Sequence, residues 1–368
     1  MTGRIIRFPQ RATPPEQIEE ASARVLEVPI AERDARAADL RLEDPDVLLS
    51  LCGRLRGRMD AEPSTIRDEA EYLYHFVRTP DRAIGLFDER DYFLGEFGLL
   101  AGTACRQLSR REESRLWFDR AEVGFLHTVN AVSDLARLNY QRLALRMEER
   151  SLDTVLEMAP ALVESFRKLA MPEDAVKARF LEGLALMECE RLTEAVHAFE
   201  QIAEEAQSVG SEKLVALAYA NLTHIHGMRG DSERAIEASR LAIPVLTRLD
   251  DRVGLAKVHW GLARLLRETG QIAAAVEAYR TAQQAFDRIG MRADVAALSL
   301  VIADLLLELG QEAPATRIVL DALPAIQELR MVPEGMAAMQ LLRESLREQR
   351  IDRPALRELH GYFEQIQG

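Results

Sequence analysis

The side chains able to carry chemistry are few and scattered. Cys52, Cys105 and Cys189 lie far apart, without the short spacings that hold a metal ion. His224 and His226 are two residues apart, which on a helix sends them to different faces, so they do not pair on a metal. Acid pairs such as Glu204-Glu205 and Asp250-Asp251 fall near expected helix ends and read as solvated charge. There is no GxSxG, no HExxH, no GxxxxGK followed by Ser or Thr, no GxGxxG after a strand, and no clear strand at all. The expectation is a non-enzyme, with no catalytic residues, no metal and no cofactor. What remains is a set of long polar side chains, Lys177, Asn221, His224, Lys257, Arg264 and Arg267, able to donate hydrogen bonds or present charge to a partner.

These residues belong to a segment that repeats itself. When the chain is written in rows of equal length, Gly230, Gly270 and Gly310 fall in one column and Ala195, Ala235, Ala275 and Ala315 in another. Leu222, Leu262 and Ile302 share a third, and Val209, Leu249, Ile289 and Leu329 a fourth. A fixed period of this size marks a stacked-repeat architecture. Each row reads as two helices. Val258, Gly261, Leu262, Leu265 and Leu266 make the stripe of one, Gly270 ends it, and Ala275, Val276, Tyr279, Ala282 and Phe286 make the stripe of the next. Two helices joined by so short a turn pack antiparallel. The Ala column marks their closest crossing. His226 falls in the column of Leu186, Leu266 and Leu306 and reads as a packed histidine, and Trp260, in the column of Tyr140, Phe180 and Leu300, as packing between units.

Traced backwards, the columns reach Gly95. Arg110 and Arg150 take the column of Gly230, Leu116 and Leu156 that of Val196, Leu126 and Phe166 that of Ala206, and Val129 and Leu169 that of Val209. The expected organisation is a flexible basic arm over 1–15, an N-terminal helical cap and connector over 16–91, six repeats over 92–337, and capping helices over 338–368. The arm carries Arg4, Arg7 and Arg11 without an acid, and is either a loose terminus or a basic docking peptide. Within the cap, Asp44-Pro45 starts one helix and Pro63 another, while 78–91 is a connector with a short helix at 83–87.

Composition bounds the partners. The chain is 48% hydrophobic and 29% charged, typical of a folded soluble protein. With 60 acids against 47 bases, the net charge of −13 argues against direct nucleic-acid binding, which relies on basic stripes, though a local basic patch stays open. No apolar run is long enough to span a membrane, and the N-terminus lacks the apolar core of a secretory signal. An odd number of dispersed cysteines suits a reducing, cytoplasmic setting.

Gly261-Leu262-Ala263, Gly270, Ala275 and Tyr279 in one row, Asn221-Leu222, Gly230, Ala235 and Ala242 in the row before, and Gly183, Leu184, Ala195 and Phe199 in the row before that resemble the tetratricopeptide repeat. The resemblance covers about 240 residues. It implies an all-α, right-handed α-α superhelix of antiparallel helix pairs. The period is 40 and not 34, and the Pro that ends many such repeats is missing. In this it resembles the MalT-like and Rap-like arrays of bacterial regulatory proteins. The resemblance implies a protein-interaction module, a regulator or adaptor that binds a peptide or helix on the concave face lined by first helices. The alternatives are a ligand- or peptide-sensing regulator, and a regulator that sequesters a separate effector such as a sigma-type factor or a peptidase. The polar residues named above would lie on the concave face. Lys177, Asn221 and Lys257 resemble side chains that hold a C-terminal carboxylate in some members, although Leu181 and Gly261, at other clamp positions, offer no side-chain donor. A partial clamp and a solvated polar face are both open. So are two readings of Tyr92, Phe93 and Phe97, as core of the first units or as an N-terminal partner groove.

Overall fold

The computed structural model describes residues 14–79, 86, 89–288, 290–328, 340, 342, 351 and 353–367. Residues 1–13 of the expected arm, the expected short helix at 83–87 except Leu86, and most of the expected closing segment between 329 and 352 lie outside them. All regular structure among the described residues is helical. The chain forms two compact units, Met1–Leu181 and Glu182–Gly368.

The first unit opens with α1 (Pro15–Glu27), α2 (Ile30–Arg33), α3 (Pro45–Gly57) and α4 (Pro63–Arg78). Proline stands at the start of α1, α3 and α4, where its missing N–H costs nothing. Asp44 caps α3 by accepting the Asp46 N–H at 3.0 Å. The apolar stripes Val47, Leu48, Leu51, Leu55 of α3 and Ile66, Ala70, Leu73, Tyr74, Val77 of α4 are buried. So is Arg33, which donates from Nε to the Val28 carbonyl at 2.7 Å and forks onto the buried Glu69 carboxylate, with Nη2 to Oε1 at 2.8 Å. Paired helices follow: α5 (Arg90–Gln107) with α6 (Arg111–Leu126), and α7 (Val132–Glu148) with α8 (Leu152–Lys168).

After α9 (Pro172–Glu188), the second unit contains α10 (Leu192–Ser208), α11 (Glu212–Met228), α12 (Ser232–Arg248), α13 (Arg252–Glu268), α14 (Ile272–Arg288), α15 (Arg292–Glu308) and α16 (Glu312–Glu328). Ala195, Ala235, Ala275 and Ala315 are fully buried. The helix α17 (Arg353–Gln367) closes the unit by packing Ala355, Leu356 and Leu359 into its core, with Arg353 and Arg357 both on Asp304 of α15.

The repeat is finer than the period read from the sequence. Each of α7 to α16 is 17 residues long. Left-handed backbone recurs at every half-period, at Asn130, Arg150, Ala170, Glu190, Gly210, Gly230, Asp250, Gly270, Gly290 and Gly310. At each of these turns but the first, the next residue returns its N–H to a carbonyl five back, as Asp231 does to His226 at 2.9 Å and Gln271 to Leu266 at 2.8 Å.

At α6 the structure corrects the extrapolated register by one residue. The left-handed residue of the α5–α6 turn is Ser109, not Arg110, so the step from it to Asn130 is one position longer than every later step. The interior of the pair is filled by Phe118 and Phe125, while Leu116, Leu126 and Val129 face solvent. The reason lies in α5. A Cβ on Gly95 would stand 2.4 Å from the Phe125 ring, and one on Gly102 2.5 Å from the Phe118 ring, so the two glycines are the seats of those rings. Ser114 takes the buried small position, its hydroxyl donating to the Gly102 carbonyl at 2.8 Å. The α6–α7 turn also lacks the closing hydrogen bond of the others.

Candidate functional site

Within the second unit, α11 and α13 lie side by side and approach at backbone level. A Cβ on Gly261 would stand 3.1 Å from His224 Cα, and one on Gly227 would stand 3.0 Å from the Gly261 carbonyl oxygen. Gly261 is therefore the residue that lets two first helices touch. This close approach accounts for a small residue at a position where the clamp pattern calls for a donor.

The polar candidates gather around this contact. His224 and Trp260 pack with ring centroids 5.4 Å apart, and Trp260 meets Phe286 edge-on at 6.1 Å. The His224 ring is half-buried. Burial, followed by the positive charges of Arg264 and Lys257, pushes its pKa down to about 3, so it is neutral at pH 7. Lys257 is solvent-exposed on the surface of α13. Loss of hydration holds its ammonium below the usual lysine value, against the opposing pull of Asp294, Asp251 and Glu188. No carboxylate among the described residues comes within ion-pairing distance of Lys257. Asp294 is shifted the other way, upward, by its own burial. Arg267 is exposed at the end of α13. Asn221 is buried on α11 and spends one amide N–H on the Leu217 carbonyl at 2.8 Å. His226, buried, has its Nδ1 3.9 Å from Asp231 and is held below the usual histidine pKa by burial.

Two sequence candidates stand apart. Lys177 belongs to the first unit, where Glu173 and Asp174 of its own helix engage it at 3.0 and 3.5 Å. Tyr92, Phe93 and Phe97 do not line a groove. They are buried, Phe93 and Phe97 stacked at 6.1 Å and Tyr92 set against Phe93 at 5.4 Å, as core of the first unit. Their helix points them inward because the glycines of α5 bring α6 close enough to cover them.

Sequence reasoning missed a buried ionic cluster in the first unit. Glu96 of α5 accepts from Arg56 of α3 at 2.6 Å, and Arg137 of α7 bridges it to Asp134 at 3.0 and 2.9 Å. Burial, then the Glu96 charge, raises the Asp134 carboxyl to about 6. Two carboxylates and two guanidiniums balance, and Glu96 and Asp134 are sealed from solvent, so the cluster ties helices together and meets no substrate. The available signal was an acid, Glu96, inside an otherwise apolar helical stripe.

The family model of the soluble NSF attachment protein (SNAP) matches residues 188–321, the regular part of the second unit. Comparison with curated protein sequences finds no match. Among solved structures, the chain is similar to the Rap conjugation gene regulator of the plasmid pLS20 in complex with a Phr peptide, with a TM-score of 0.60 and 17% identity, over 96% of this chain and 95% of that one. It is similar to Aspartyl phosphate phosphatase F from Bacillus subtilis, with a TM-score of 0.57 and 13% identity, over 96% and 92% of the two chains. It is also similar to a Rap protein complexed with Competence and Sporulation Factor, with a TM-score of 0.55 and 13% identity, over 95% and 100%. The fold is thus an all-α, tetratricopeptide-like helical repeat of the α-α superhelix class.

Proposed function

We propose that the chain is a non-enzymatic regulatory adaptor of a bacterial signalling or stress-response system, and that it captures a peptide or helix of a partner on the first-helix face of its second unit. One observation carries the reading. Lys257 is exposed with no carboxylate within ion-pairing distance, beside Arg264 and the neutral His224–Trp260 pair. An ammonium without an ion pair of its own is free to meet an incoming carboxylate, and the aromatic pair offers apolar area next to it. Asn221 keeps an amide oxygen and a second N–H for the peptide backbone. One neighbour of the same fold was solved with a Phr peptide and another with Competence and Sporulation Factor, which supports the reading by analogy of fold.

One neighbour bears the name of a phosphatase. The non-enzymatic reading rests on this chain's own groups. A general base works best with a pKa near the working pH. His224 at about 3 is too weak, and the buried thiols of Cys52 and Cys105 are pushed up, the latter to about 11. Three free cysteines suit the reducing cytoplasm, where the adaptor is placed.

The test is fluorescence titration with a hexapeptide pool, made with free and with amidated C-termini. The free-acid pool binds in the expected outcome, and Lys257→Ala and Asn221→Ala each weaken it by about tenfold, the loss of one charge-assisted hydrogen bond. Equal affinity in both variants and in the amidated pool removes the proposal.

A further inference from the structure

The outward face of α6 and the turn that follows it give the first unit an apolar surface that packing does not use. Leu116, Val123, Leu126, Val129 and Val132 are between 57% and 78% exposed. Leu116 and Val123 are seven residues apart on α6 and Leu126 three further on, so all three share its outward face. Val129 and Val132 carry the stripe through the α6–α7 turn. Of the column mates of Val129, Leu169 and Val209 are half-buried and Leu249 is 43% exposed, whereas Val129, at 78%, is the most exposed of the five stripe residues. The stripe runs into a pocket of about 290 Å³ between α7 and α8, with Val132 on its rim and Leu135, Leu162 and Leu169 in its walls. Elsewhere the exposed aliphatic residues on second helices, Met158, Ile236, Leu241 and Leu320, are less exposed, between 40% and 50%. A continuous apolar strip ending in a pocket is the mark of an interaction site.

The charges around the strip select its occupant. Its acids are neutralised within the chain, since Arg142 holds both Asp119 at 2.8 Å and Glu122 at 2.9 Å. Its bases are not. Arg120, on the outward face of α6, lies 4.5 Å over the Trp117 ring with no carboxylate partner, and Lys168 lines the pocket with none. The surface is therefore apolar along its length and locally positive at its edges, in a chain of net charge −13. The chain's own first residues, with Arg4, Arg7 and Arg11 and no acid, carry the wrong sign to cover it.

We infer that the outward face of α6, the α6–α7 turn and the α7–α8 pocket form a docking surface for an amphipathic helix of a separate protein, with an aliphatic ridge and acidic flanks. The ridge lies along Leu116, Val123 and Leu126 and places one large side chain in the pocket. The flanking acids pair with Arg120 and Lys168. This surface lies in the first unit and stands independently of the proposed peptide site in the second.

The probes are two fluorescein-labelled alanine-based helices with leucines at i, i+3, i+4 and i+7, one flanked by Glu and the other by Lys. Anisotropy is measured with the full chain. The Glu-flanked helix binds more tightly in the expected result, against the bias of the chain's overall negative charge. Leu126→Glu and Val129→Glu each weaken it by about tenfold, since each removes one apolar anchor. Lys168→Glu narrows the preference for the Glu-flanked helix. All three positions are on the surface, and unchanged circular dichroism confirms that the variants fold. The inference is overturned if neither helix binds, if the Lys-flanked helix binds as well or better, or if Leu126→Glu leaves affinity unchanged. Light scattering provides the remaining outcome: a dimer of this chain that Leu126→Glu dissociates would assign the strip to a second copy and overturn the separate partner.

Discussion

Gly261→Ala tests whether the contact between α11 and α13 is as close as described. Replacing an ordinary helical glycine by alanine stabilises a helix by about 1 kcal/mol, because glycine has more backbone freedom to lose. At position 261 the new Cβ would stand 3.1 Å from His224 Cα, 3.2 Å from His224 N and 3.3 Å from Thr223 Cγ2. Comfortable carbon contacts begin at about 3.5 Å, and the two nearest atoms are backbone, which no rotamer change can clear. The helices must part by several tenths of an ångström. Overpacking of this kind costs about 1–3 kcal/mol, so the variant should end up to about 2 kcal/mol less stable than the parent once the helical gain is set against it. Gly361 in α17 is the control in the same unit, since its added Cβ meets nothing within 4 Å. Gly361→Ala should therefore gain about 1 kcal/mol. Urea unfolding followed by tryptophan emission reads the difference, because Trp260 sits beside the contact. If Gly261→Ala is stabilised as much as Gly361→Ala, the two helices do not touch there and the account of the site fails.

The remaining expectations concern packing, charge and pH. Ala275→Leu should lose about 1–3 kcal/mol by overpacking, while Ala273→Leu, on an exposed position of the same helix, should stay within about 0.5 kcal/mol of the parent; equal melting temperatures would contradict the register. Glu69→Ala leaves Arg33 buried without its carboxylate and should cost about 3–5 kcal/mol, whereas Arg33→Met combined with Glu69→Leu should cost less than the single change, which chemical denaturation of the two variants compares. The second unit should lose stability in mild acid. His224 is held at about 3 against 6.5 when unfolded, so the unfolded chain takes up the proton first; the native advantage is complete above about pH 6.5 and shrinks as pH falls towards 3. At pH 5 that is about 1–2 kcal/mol, and His224→Gln should flatten the melting-temperature profile between pH 7 and 5. A profile unchanged by the substitution would show that His224 is not shielded.

The parts of the fold legible in the sequence are those where one residue type answers one geometric demand. Gly230, Gly270 and Gly310 stand where the backbone is left-handed, and Ala195, Ala235, Ala275 and Ala315 where two helices leave room for a methyl group. Those columns disclosed the paired helices. The half-period was harder to see because Ala170, Glu190 and Asp250 hold the same left-handed geometry without glycine. At α6 the signal was ambiguous. Leu116 and Leu126 fit the extrapolated columns as hydrophobic residues, and nothing local distinguishes them from the neighbouring Phe118 and Phe125; only the seats at Gly95 and Gly102 do. The surroundings of the candidate residues are legible only in part, for a similar reason. Lys257 and Lys177 look alike as letters, and the difference lies in Glu173 and Asp174, which ion-pair with Lys177, whereas the acids around Lys257 stay beyond ion-pairing distance. The buried Glu96 cluster depends on Arg56 and Arg137 from two other helices, a pairing that no spacing along the chain reveals.

The stretch from Ser109 to Asn130, one residue longer than the turn-to-turn spacing that follows it, bears on how such proteins diversify. Along a helix each residue advances the surface by about 100°, so an extra residue inside α6 would have turned its interior face aside; it falls instead after Phe125, and Ser114, Phe118 and Phe125 keep the places that Ala195, Phe199 and Ala206 hold after their own turn. A globular core would rarely survive such an insertion. In a linear array each unit answers only to its neighbours, and the next turn restores the count, so the disturbance stays local. A turn of such an array can thus take an extra residue without any other unit being redesigned.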